Sequence, residues 1–216
     1  MKHLIWFAAV LVLSSCAYVE ENVYYTFDAV KNIQSGRGSN ASDFGKESYS
    51  IHSRSRLLLR YEKLLELVGN VLVNSEHKFR VELATTSEEG LEAAIENLRV
   101  CPVLRSWMML ASWNVAHPYG GGDSWLQPGG DYARTDCIHG EALSGTTRVI
   151  TFDASNWLTQ YVRARNVNYG LIVINDEETP VEIVGDASGY LAPRVAHDRL
   201  TPVTTSYPYN GNARVK

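Results

Sequence analysis

His77-Lys78-Phe79-Arg80-Val81-Glu82-Leu83-Ala84 places Phe79, Val81 and Leu83 on one side and Lys78, Arg80 and Glu82 on the other. Successive side chains of a strand point to opposite faces, so this alternation specifies a strand with one core side and one polar side. A helix would scatter the same three apolar residues around its circumference. Working outward, Arg56-Leu57-Leu58-Leu59-Arg60-Tyr61 is a short apolar run with charged ends and predicts a buried strand. Residues 98–104 resume extended structure, with Pro102 marking a bend or an edge position. Residues 148–152, 171–174, 181–184 and 192–195 complete the strand candidates, after an extended Tyr-rich stretch at 23–28.

Between these runs the helical signals are few. Ser87 offers an N-cap, Glu88 and Glu89 suit a first turn, and Leu91, Ala94 and Ile95 share a face. Residues 155–164 place Trp157 one turn from Tyr161 and Leu158 one turn from Val162. Residues 62–70 are helical in composition and stop at Gly69-Asn70. Many short strands, Gly/Pro/Asn turns and one or two short helices predict an all-β fold, a single β-sandwich over residues 23–197. No composition break or internal repeat divides it. Residues 198–216 lack periodicity and read as a tail. Residues 112–145 form a long loop rich in Gly, Trp, Tyr and Asp, and loops of that length are usually functional or held by bridges or ligands.

The 216 residues are 45% apolar, with 12 Tyr and 5 Trp against 5 Phe, enough to bury a core and too apolar for a disordered chain. A formal charge of −4 leaves no basic excess for phosphates, which argues against a nucleic-acid partner. At the N-terminus, Lys2 precedes an apolar run at 4–13, then Ser14, Ser15 and Cys16. The run is short for a membrane span and suits a signal peptide. Leu13-Ser14-Ser15-Cys16 resembles the bacterial lipobox. It implies a signal peptide at 1–15, lipidation of Cys16 and an anchor linker at 16–22. Ala17, where an Asp would retain the protein, points to the outer membrane. Asn40-Ala41-Ser42 matches a glycosylation acceptor but carries little weight in a bacterial lipoprotein.

With Cys16 lipidated, Cys101 and Cys137 remain, and an even remainder outside the cytoplasm suggests a disulfide. Two alternatives stay open, buried free thiols and a metal site using Cys101, Cys137, His139 and His117. Asp123, Asp131 and Asp136 in the Gly-rich loop suit turn caps, or together a structural calcium ion. A glycosidase carboxylate pair could also be proposed from them. No His-Glu-x-x-His, Gly-x-Ser-x-Gly, phosphate loop or EF-hand motif occurs, so the chain reads as a non-enzyme.

The order of features resembles the DNRLRE domain family, a carbohydrate-binding module of the alginate-binding type. The matching features are the arginine-flanked Leu strand at 56–60, Ser112-Trp113-Asn114 with Pro118, Trp125, Gly129-Gly130-Asp131, Trp157 before Asn168-Tyr169-Gly170-Leu171, and Pro193-Arg194-Val195. The resemblance spans roughly 23–196. It implies a jelly-roll-like, extracytoplasmic, non-catalytic sandwich. The expectation is therefore a lipid-anchored envelope protein that binds a polysaccharide through its 113–132 loop. Tyr119, Trp125, Asp131 and Tyr132 are the ligand-facing candidates, because rings stack on sugar C–H faces and carboxylates take hydroxyls. Trp113 and Trp157 read as packing residues. Arg105 and Arg134 flank the loop and supply cations for an acidic polymer. The competing expectation is a structural or adhesive lipoprotein with a protein partner.

Overall fold

A computed structural model describes residues 18–37, 45–64, 77–119 and 123–202. Cys16, the glycosylation triplet and residues 65–70 of the helical stretch lie outside the described residues. The front sheet runs in the order β1 (Tyr18–Thr26), β14 (Arg194–Pro202), β5 (His77–Ala84), β11 (Val149–Asp153) and β10 (Glu141–Ala142). The back sheet runs β2 (Ala29–Gln34), β4 (Ser55–Arg60), β12 (Leu171–Asn175), β6 (Leu98–Pro102) and β9 (Ile138–His139). Two ribbons flank them, β3 (Ser48–Ile51) with β13 (Val181–Val184) and β7 (Val115–His117) with β8 (Asp123–Ser124). All of these strand pairs are antiparallel. The chain passes repeatedly from one sheet to the other, the jelly-roll-like winding expected of it.

The alternating stretch is β5, and its pattern places the core. Phe79, Val81 and Leu83 are fully buried, with Ile150, Phe152 and Val195 beside them. They pack against Val30, Leu57, Leu59, Val100, Leu171 and Val173 of the back sheet. Each such side chain taken from water contributes about 1.5–3 kcal/mol. On the polar side of β5, Asp198 accepts two hydrogen bonds from Arg80 at 2.7 Å. That contact holds Arg80 above the usual arginine value. Glu82 departs from its expected exposure and is 1% accessible. Arg194 (2.8 Å) and Arg80 (3.5 Å) bracket its carboxylate, and residues 190–192 close over it, so the charge is buried but paired.

Among the described residues the helices include α1 (Gly90–Asn97) and a short α2 (Ser155–Trp157) that widens into a π-helical turn, Leu158–Arg163. Ser87 does not cap α1. The helix begins three residues later, because Ser87 lends its carbonyl to the Thr85 hydroxyl in the turn that ends β5. Pro102 sits in neither a bend nor an edge strand but at the last position of β6, where a missing N–H disturbs no further pairing. The boundaries of the sandwich also move. Tyr18 pairs with Pro202, so residues 18–22 are strand rather than linker and 198–202 are strand rather than tail. Both segments pair with each other along the backbone, and Asp198 and Arg199 pair with β5 as well. Among the described residues no helix is long and apolar enough to cross a membrane.

Candidate functional site

The continuous apolar runs of β4 and β12 have a cause that alternation alone would not supply: both faces of the back sheet are covered. Its outer face presents Ala29, Ile33, Leu58, Cys101, Ile172 and Ile174, and residues 103–119 and 123–137 lie across them as a lid. Trp107, Ala111, Ala116 and Trp125 form the underside of that lid. The indole N–H of Trp107 donates to the Tyr169 carbonyl at 2.7 Å and that of Trp125 to the Ser112 carbonyl at 2.8 Å, so neither ring leaves a polar atom stranded. The Cys101–Cys137 disulfide closes the lid at its base. It favours the bridge over free thiols and over the metal site with His139 and His117.

The two arginines that flank Leu57-Leu58-Leu59 hold the lid down. Arg60 donates to the Trp107 carbonyl at 2.9 Å, with its guanidinium 4.6 Å from the ring centroid. Arg56 is 8% exposed and donates to the Gly129 carbonyl at 2.8 Å. Its guanidinium lies 4.9 Å from the Trp113 ring and 5.2 Å from Tyr132. Burial pushes Arg56 below the usual arginine value, and nearby Tyr132 and Asp176 oppose that shift. Gly129 makes the approach possible. At φ +90°, a Cβ there would stand 2.5 Å from Arg56 Nη1 and 2.9 Å from Trp113.

At one margin of the lid is an open groove of about 760 Å³. Leu104, Arg105, Leu126 and residues 131–136 line it, and Tyr161 of the π-helical turn closes the far wall. The Tyr161 hydroxyl donates to Asp136, and the Arg165 guanidinium lies 4.6 Å from the Tyr161 ring. Arg134 is within 5.6 Å of the Tyr132 ring and donates to the Gln127 side chain at 3.4 Å. Arg105 donates to the Ser124 carbonyl at 2.7 Å and reaches Asp131 at 3.5 Å. The groove thus combines ring faces, two cations and apolar side chains. Leu126 is 85% exposed beside it.

The sequence candidates divide. Asp131 and Tyr132 line the groove, as do Arg105 and Arg134. Asp131 is largely occupied, however, because its carboxylate accepts the backbone N–H groups of Leu126 (3.0 Å) and Gln127 (2.9 Å). It staples the Pro128-Gly129-Gly130 turn, an assignment its turn-cap alternative anticipated. Trp125 is not an exposed platform: it is 5% exposed, because the apolar outer face of the back sheet claims it. Tyr119 is 65% exposed near the β7–β8 connection and does not line the groove. Asp123 opens β8 and Asp136 sits in the groove wall, but no group of three or more His, Cys, Asp or Glu among the described residues is arranged to hold a metal. Sequence reasoning missed Leu104, Leu126 and Tyr161. Tyr161 lines the groove and bonds Asp136, 25 residues away in sequence. No family model matches the chain, and no curated protein matches it.

Proposed function

We propose that this chain is a lipid-anchored, non-catalytic envelope protein that binds a polysaccharide in the groove beside its lid. The observation that carries the reading is the groove itself, about 760 Å³, with Tyr132 and Tyr161 in its walls and Arg105 and Arg134 beside them. Rings take the C–H faces of sugars, and guanidinium groups take hydroxyls and carboxylates. The resemblance to the DNRLRE family and the lipobox-like stretch at 13–16 support the same reading, and Ala17 after Cys16 supports an outer-membrane location. Calcium has no assigned place in it.

The test uses the soluble chain lacking residues 1–16 on a polysaccharide array that includes acidic and neutral polymers. Retention of at least one polymer is expected. Arg134→Ala removes an exposed cation without touching the lid core and should weaken retention of an acidic polymer about tenfold, the scale of one charge-assisted hydrogen bond. Binding to no polymer on the array would overturn the proposal. One observation favours a second reading, a protein partner: Leu104 and Leu126 expose apolar surface at the groove, 41% and 85% accessible. Capture of a partner protein that Leu126→Asp abolishes, with no polysaccharide retained, would select it.

A further inference from the structure

Cys16 and strand β1 are separated in sequence by one residue, Ala17. The first residue of β1, Tyr18, is already paired with Pro202. Two peptide steps span at most about 7 Å, so an acyl chain on Cys16 leaves the start of β1 no room to leave the lipid surface. Among the described residues β5 is paired with β14 as far as His77–Arg199, and the β1–β14 pairing runs on through 18–20 and 200–202. Strand β1 also ends the front sheet, with β14 as its sole neighbour among the described residues. A strand edge nine residues long without a neighbour among the described residues is a template for unwanted pairing unless something covers it.

We infer that the β1 edge of the sandwich is a membrane-contacting surface: the ribbon 18–20/200–202 stands in the headgroup layer, and a phospholipid surface covers part of the open edge. The inference rests on the lipidation of Cys16 in the proposed function.

The experiment compares hydrogen exchange of the full acylated protein on vesicles of phosphatidylethanolamine with a minority of phosphatidylglycerol and in detergent-free solution as the Cys16→Ser chain. Intact mass reads acylation separately. The expected result is slower exchange on vesicles confined to residues 18–26, with the amides of 126–136 unchanged. A second variant inserts about ten Gly/Ser residues between Ala17 and Tyr18, a coil reaching roughly 17 Å. It should stay acylated and vesicle-bound yet lose the protection. Acylation without protection at 18–26, or protection that survives the linker, overturns the tether geometry and leaves the lipidation standing. Absence of acylation overturns both.

Discussion

Trp125→Ala separates a buried lid residue from a sugar platform, and the two roles predict opposite outcomes. In the structure the Trp125 ring is 5% exposed against the outer face of the back sheet, and its indole N–H is bonded to Ser112. Truncating a buried Trp to Ala costs about 3–5 kcal/mol through lost transfer energy and the cavity left behind. The Ser112 carbonyl also loses its partner, at about 1 kcal/mol more. For a domain of this size each kcal/mol lowers Tm by about 2–4 °C, so a fall of roughly 8–24 °C is expected if lid and sandwich unfold together. Thermal unfolding followed by circular dichroism gives that shift. Hydrogen exchange at Leu104 and Gly129, whose amides are bonded to Asp131 and Trp113, reports whether the lid loosens first. Tyr119→Ala serves as the control, because a 65% exposed ring should change stability by no more than about 0.5 kcal/mol. An unchanged Tm for Trp125→Ala together with a selective loss of polysaccharide binding would refute the burial argument.

The disulfide should leave neither Cys101 nor Cys137 alkylated in the oxidised, exported protein, as read by intact mass. Its loop of 36 residues' separation is worth roughly 4 kcal/mol in the chain-entropy account, and its loss should loosen 103–137 more than the sheets. Arg56→Lys keeps the charge but loses the planar group between Trp113 and Tyr132, and should cost about 2–3 kcal/mol in urea unfolding. A loss below about 0.5 kcal/mol would mean the guanidinium contacts are incidental. If an acidic polymer is the ligand, its affinity should fall as salt rises, because Arg105 and Arg134 in the groove then outweigh the overall charge of −4. Affinity that rises with salt would remove those arginines from the contact.

Period-two alternation at 77–84 and the apolar runs at 57–59 and 171–174 are local consequences of strand geometry, so the sequence alone was enough to determine strands and an all-β sandwich. Counting the thiols that an exported, lipidated chain would leave suggested the bridge between Cys101 and Cys137, with free thiols and a metal site as alternatives. What the tertiary structure decided is which side of a loop faces what. Trp125 and Leu126 are neighbours in a Gly-rich segment with no periodicity, yet one is buried and the other 85% exposed. Nothing local distinguishes them, because the difference comes from Leu58, Ile172 and Ile174 on strands far away in sequence. Arg56 meets Gly129 across 73 residues and Tyr161 meets Asp136 across 25, so the groove walls exist only after the sheets have formed. The edges of the fold behaved likewise. Residues 18–22 and 198–202 lack alternation and are strand through backbone pairing with each other and, at Asp198 and Arg199, with β5, an interaction that leaves no trace in side-chain pattern.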